Sequence, residues 1–289
     1  TIMKLSRVLM LVFAAIIIAI WWEKKHSEVQ STGKKTVAFP WFMLGFIGAS
    51  IIGTFVPFVT SITPQLVDFA YIVLGMAMAA LGINVNLAPV CDVSTDAGDF
   101  IYARSFGGDA AATSEFVTAV VGAIRDAGVA AVLKHFPGYG NNADTHTGIA
   151  LDARPYTTFE KSDLVPFESG IAAGAPFVLV SHNIVECMDG AYPASLSAKV
   201  HTLLRDTLGF TGVIVTDDLA MDAVKAYAQD GSAAVLAIQA GNDMIVTTDY
   251  QTQIPQVIAA VQSGEIAESD IDAHVFRVLH EKQALGLID

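Results

Sequence analysis

Near Asn84 the chain changes its hydrophobic pattern, and no single compact fold accommodates what lies on the two sides. Ahead of that point apolar residues run together: Val8 to Trp22, extended backwards by Leu5 and preceded by Lys4 and Arg7; Thr36 to Thr60, without a charge; and Leu66 to Leu81, broken by Asp68. The first two have the length of roughly 20 residues that crosses a bilayer core, and the Trp21-Trp22 pair suits the interface. Gly45, Gly48 and Gly53 are small-residue positions where another membrane helix could approach. Between the first two runs, Glu23 to Lys35 carries four lysines against two cations in front of Val8, which under the positive-inside rule predicts a cytoplasmic loop. The third run, rich in Met and small side chains, reads as a short span or a buried helix.

After Asn84 short apolar runs alternate with amphipathic stretches. The pattern predicts strands at Val85–Val90, Ala130–Leu133, Phe177–Ser181, Val213–Thr216 and Met244–Thr247. Helices are predicted over Ala110–Arg125, Phe159–Ala173, Ser197–Leu208, Gly231–Ala240, Ile254–Gln262 and Ser269–Leu285. Such alternation argues for parallel βα units. About five strands are countable, where a closed barrel of this type has eight. The expected architecture is therefore α/β, an incomplete (β/α)8 TIM-type barrel over 84–289, preceded by two or three transmembrane helices within 1–83.

Charge follows the same division. Residues 1–85 carry a net +3 and residues 86–289 a net −16, giving −13 in all. That balance argues against nucleic acid as the partner. Cys91 and Cys187, the two cysteines, suit small buried thiols better than a disulfide framework or a metal site. There is no His-Glu-x-x-His and no Cys-x-x-Cys, and Gly107-Gly108 lacks the rest of a dinucleotide loop, so neither metal nor organic cofactor is expected.

Lys134/His135, Ser181/His182, Asp217/Asp218 and Thr247/Thr248 each fall where a predicted strand ends, which in a (β/α)8 barrel is the active-site face. The loop from Lys134 to Gly148 is the densest in chemistry, and its Pro137, Gly138 and Gly140 forbid regular structure. In it Asp144 and His146 stand two apart, a spacing that sends both side chains to one side of extended backbone. The carboxylate could fix the imidazole's tautomer and leave its other nitrogen free to move a proton. The same tripeptide is also common in idle surface loops. Asp217 and Asp218 offer a carboxylate at a strand's exit, or a helix cap at a βα turn. Hydrolysis of a glycoside with retention needs a carboxylate beside the anomeric carbon and a proton donor on the leaving oxygen.

Lys134 to Gly148 resembles the signature of family 3 glycoside hydrolases, specifically the single-domain β-N-acetylglucosaminidase branch. The resemblance runs from about Leu81 to Asp289 and takes in Asn86 to Val93, Arg104 to Gly107 and Val213 to Met221. It implies Asp217 as nucleophile, His146 as general acid and base, and Asp144 as its orienter. Lys134, His135 and Arg104 are implied to hydrogen-bond the sugar, a terminal β-linked N-acetylglucosamine of a cell-wall-type glycan. Asp92 is expected to anchor a barrel-end loop and His182 to be structural. Tyr139 stands where many relatives carry histidine, which puts a sugar contact there in doubt, and the Asp-Gln-Glu-Gly-Gly-type turn of the family is absent from Thr1 to Leu81.

Residues 1–84 resemble the C-terminal helices of a sulfate-exporter-like family of bacterial membrane proteins. The two patterns meet over Ala80 to Asn86, which suits either. Three readings follow. The first is an exo-glycosidase held at a membrane, its catalytic part on the cytoplasmic side. The second is a membrane transport fragment carrying a silent partial barrel, and the third a β-glucosidase-like hydrolase. Phosphate in place of water as acceptor stays open.

Overall fold

A computed structural model describes residues 82–145, 148–227 and 232–289. The chain divides into two units, Thr1–Ala80 and Leu81–Asp289, and every described residue belongs to the second. The expected spans at 8–22, 36–60 and 66–81 lie outside the described residues, as does His146. Among the described residues no helix is long and apolar enough to cross a membrane.

The elements run β1 (Val85–Asn86), α1 (Ala110–Asp126), β2 (Ala130–Phe136), β3 (Leu151–Asp152), α2 (Val165–Ala172), β4 (Phe177–Val180), β5 (Ile184–Val185), α3 (Ala198–Thr202), β6 (Val213–Thr216), α4 (Ala233–Ala240), α5 (Tyr250–Ser263) and α6 (Glu268–Ala284). Four strands form a parallel sheet in the order β1-β2-β4-β6, and β3 pairs with β5 in a second, parallel two-strand ladder. Parallel neighbours need crossovers, which α1, α2 and α3 supply.

Side chains alternate across this sheet with the period of two that strand geometry imposes. Ala131, Leu133, Val178, Val180 and Ile214 face α1 and α2, where they meet Val117, Val121 and Phe167. Ala130, Val132, Phe177, Leu179, Val213 and Val215 face the other way and are met by Val278 of α6 and by Leu285 just past its end. Both faces are covered, which is why these strands read as continuous apolar runs. Each Val or Leu fully buried here contributes about 1.5–3 kcal/mol. Helix α1 starts where the Asp109 carboxylate accepts the Ala112 amide at 2.9 Å, and it buries Thr113, Val117 and Val121, one stripe at a spacing of four.

Helix α6 is locked at the ends where the strands begin. The Asp243 carboxylate, its side chain fully buried, accepts from Arg205 Nη2 at 2.6 Å, Ile214 N at 2.8 Å, His274 Nδ1 at 2.8 Å and Arg277 Nη1 at 2.9 Å. Burial alone would raise this carboxyl, but the His274 bond, the Ile214 amide and the two guanidiniums hold it below the usual carboxylate range.

Strand boundaries differ from expectation at several points: β1 ends at Asn86 where Val90 was expected, β4 at Val180 where Ser181 was, and two further differences bear on the site. Strand β2 continues three residues past Leu133 and so takes Lys134 and His135 into the sheet. Over Met244–Thr247, by contrast, the backbone makes only a bridge from Met244 to Val215. The Val246 amide is claimed instead by the Thr216 hydroxyl at 3.0 Å, and a side-chain acceptor there ends the ladder.

Candidate active site

The ends of β2, β4 and β6 carry the candidate residues. Beyond Asn86 the first strand runs on irregularly beside β2, with Cys91 N donating to Lys134 O at 2.6 Å and Val90 bridging Lys134. This brings Asp92 against His135. The buried Asp92 carboxylate accepts His135 Nδ1 at 2.7 Å, His135 N at 3.2 Å and Tyr139 N at 2.8 Å. On the other side Arg104 Nη2 lies 3.3 Å from His135 Nε2. A guanidinium only donates, so Nε2 accepts and Nδ1 carries the hydrogen given to Asp92. Asp92 thus anchors the loop, as expected, and also fixes the tautomer of His135.

Lys134 sits beside this pair, half-buried. Burial is the main force pushing its ammonium below the ordinary lysine range and Arg104 adds to it, while Asp217 and Asp92 pull the other way. Arg104, Asp92 and Asp217 therefore all act on Lys134, although the four residues come from three separate βα segments.

Asp217 follows Thr216 at the end of β6, its amide donating to Val180 O at 3.1 Å. Its Oδ1 accepts the Asp218 amide at 2.9 Å. Asp218 is occupied differently: its Oδ1 accepts Ala220 N at 2.9 Å and Thr248 N at 3.1 Å, tying two loops together. His182, buried after β4, meets the Asp218 carbonyl through Nε2 at 3.0 Å and the Ser195 hydroxyl through Nδ1 at 2.7 Å. A carbonyl only accepts, so Nε2 carries a hydrogen, and His182 supports the turn that presents Asp217.

The loop after β2 is seated on residues the sequence did not single out. Gly138 and Gly140 have φ of +121° and +53°. A Cβ on Gly138 would stand 2.7 Å from Asp163 Cβ, and one on Gly140 would run into the Arg154 guanidinium. Arg154 lies under the loop, 4.4 Å over the Phe159 ring. Its Nε and Nη2 take Asp152, at 3.0 and 2.7 Å, and its Nη1 and Nη2 reach Asp163 at 3.1 and 3.0 Å. Phe159 and Asp163 share a side because the helical turn Phe159–Asp163 is a π-turn, whose wider pitch aligns residues four apart. One cation thus serves two buried carboxylates. Burial, opposed by Arg154 and aided by Asp152 and Asp92, pushes Asp163 up to about 6. A hint was present in the Asp152-Ala153-Arg154 spacing, which in extended backbone puts both charges on one side.

Asp144, half-buried, lies in this loop beyond Tyr139, and the hydroxyls of Tyr139 and Thr145 are hydrogen-bonded across it. Among the described residues no cluster of three His, Cys, Asp or Glu side chains is arranged to hold a metal ion. What the strand ends assemble is a half-buried carboxylate near a lysine and an arginine-supported imidazole, a setting that can engage hydroxyls around a bond to be cleaved.

Residues 54–280 match the family model "Glycosyl hydrolase family 3 N terminal domain". Residues 1–95 match "Conserved hypothetical protein 698", and 90 residues are 96% identical to a UPF0324 membrane protein of Bifidobacterium longum, covering 31% of this chain and 25% of that protein. A β-hexosaminidase of Nitrosomonas eutropha is 34% identical over 192 residues, 66% of this chain and 55% of that protein. A family 3 β-N-acetylglucosaminidase structure from Paenibacillus superposes with a TM-score of 0.70 at 37% identity, covering 74% of this chain and 42% of that one. The chain is thus a fusion of two kinds of sequence, and it spans a quarter of the membrane relative and about half of the hydrolases.

Proposed function

Because the chain belongs to glycosyl hydrolase family 3 through that family's N-terminal domain, we propose that it is a retaining exo-glycosidase releasing terminal β-linked N-acetylglucosamine from cell-wall-type glycans. The observation that carries this reading is that Lys134 near the end of β2 is close enough to Arg104, from the segment after β1, and to Asp217, at the end of β6, to feel both charges. Asp217 attacks the anomeric carbon and forms the glycosyl-enzyme. His146 protonates the leaving oxygen, then takes the proton of the incoming water, and Asp144 steadies the imidazolium between those steps. Lys134, His135 and Arg104 hold the sugar hydroxyls. For His135, buried and with Nε2 already accepting from Arg104, this requires the guanidinium to give way to a hydroxyl, while Asp92 keeps the ring in place.

The division of labour between the two adjacent carboxylates supports the assignment. Asp218 spends an oxygen on two backbone amides, whereas Asp217 accepts the amide of its neighbour. The four-strand sheet belongs, on this reading, to an incomplete (β/α)8 barrel, and residues 1–83 are two or three membrane helices that leave 84–289 on the cytoplasmic side. Turnover of p-nitrophenyl N-acetyl-β-glucosaminide by the full chain tests the proposal. Release of p-nitrophenol that disappears with Asp217→Ala supports it. A folded chain that releases none, or that prefers the glucoside, sinks it.

A further inference from the structure

Tyr139 occupies the centre of the loop, yet it is only 1% exposed, so its phenol offers no surface to a sugar. It turns inward. Its amide donates to Asp92 at 2.8 Å, and its ring lies edge-on to His135 at 5.4 Å and tilted against Phe100 at 5.8 Å. The hydroxyl shares a short hydrogen bond with that of Thr145, which is itself fully buried. Thr145 also meets the phenol oxygen through its backbone. No water competes for such a bond, so it holds its geometry more firmly than an exposed one.

Thr145 is the residue between Asp144 and His146. We propose that Tyr139, acting through Thr145, is a positioning residue for the Asp144–His146 pair: its hydroxyl closes the segment 139–145 and fixes where the loop delivers its proton donor. The inference rests on the reading of His146 as acid and base, and it assigns to the tyrosine a task that needs no contact with substrate. Asp92 sets the near end of the segment through the Tyr139 amide, and the phenol sets the far end. One side chain thereby couples the hydroxyl-holding imidazole of His135 to the loop. Burial is the main cause that raises this phenol above its ordinary range; the Thr145 bonds oppose it, and Asp217 and Asp92 add to it. The group is protonated throughout the neutral range, and the bond persists there.

The test compares the full chain with Tyr139→Phe, Thr145→Val and the double variant. Each single change leaves one buried hydroxyl without its partner and lowers the melting temperature, whereas the double change orphans neither hydroxyl and recovers most of the loss, the residue-145 backbone group that met the phenol oxygen being the one still left without its partner. A merely structural role ends there. If the bond positions the loop, the double variant keeps two defects despite its recovered stability. Amides 140–148 exchange hydrogen faster than in the parent, and the ratio of kcat on a disaccharide to kcat on the p-nitrophenyl glycoside falls about tenfold, because only the poor leaving group needs a well-placed proton. Parent-like exchange in the double variant, or an unchanged ratio, overturns the inference. A parent chain that turns over neither substrate refutes the glycosidase reading instead, and the exchange comparison still decides the anchor.

Discussion

Asp163 offers a sharp test of the electrostatics beneath the loop, through Asp163→Asn. Arg154 spends its paired contact on Asp152 and is left to share with Asp163, whose side chain is 1% exposed. The carboxyl is pushed from its ordinary 3.8 to about 6, chiefly by burial, against the pull of Arg154 and with the like charges of Asp152 and Asp92 adding to it. The sign is fixed by proton counting. Between pH 4 and 6 the folded state holds a proton that the unfolded state has released, so stability is fully present below 3.8 and falls as pH rises through about 6. At 1.36 kcal/mol for each factor of ten, the loss is about 3 kcal/mol. In a folded unit of this size that is roughly 6–12 °C in melting temperature. The asparagine side chain of the variant cannot titrate, yet its amide oxygen still accepts from Arg154 Nη1. Melting of the parent and of Asp163→Asn is followed by circular dichroism at pH 4.5 and pH 7.5. The variant should gain on the parent by several degrees at the higher pH and match it at the lower. A difference that stays constant, or a parent that loses ground to the variant on acidification, would show that Arg154 holds Asp163 ionised, and the argument would fail.

Three further outcomes follow from the same geometry. Asp217→Ala should abolish turnover, whereas Asp218→Ala should retain some and lower stability by about 1–3 kcal/mol, because its oxygen accepts two backbone amides; equal activity losses would contradict the assignment. Asp92→Asn leaves a single acceptor oxygen for three N–H groups, and should cost about 3 kcal/mol in a urea titration; a neutral result would mean that Asp92 does not hold the loop. Gly140→Ala forces a side chain into Arg154 at positive φ, while Gly148→Ala meets nothing within 4 Å, so only the first should lower the melting temperature, by more than about 1 kcal/mol equivalent.

The legible part of the fold was the part set by periodicity. Val213–Thr216 is bounded as the apolar run predicts, and α1 ends one residue beyond its predicted limit, because burial on both faces or along one stripe writes itself into residue type. Helix α5 begins four residues earlier than predicted, at Tyr250, since Tyr250 to Gln253 follow no apolar stripe that marks a start. The Met244 strand failed for a different reason, namely that a single hydroxyl, Thr216, can take an amide from the ladder, and hydrophobic pattern carries no record of it. For the site, Lys134, His135, Arg104 and Asp217 were singled out from the family resemblance and strand-end position, and Asp92 from its place after an apolar run. Arg154, Asp163 and Thr145 were not, because their partners lie across a loop whose path is fixed by Gly138 and Gly140 and not by any repeat. The separation of Asp217 from Asp218 likewise became visible only through Thr248, thirty residues away.

The Asp243 cluster lies where the strands begin, and the candidate chemistry lies where they end. The molecule therefore offers evolution, or an engineer, two nearly independent dials. Substitutions around Asp243, Arg205, His274 and Arg277 alter how long α6 stays clasped, and with it the protein's lifetime against proteolysis, at the end of the sheet opposite Lys134 and Asp217. A library confined to that end can be sorted for longevity with no substrate in hand, and its winners carried unchanged into any search for altered sugar preference.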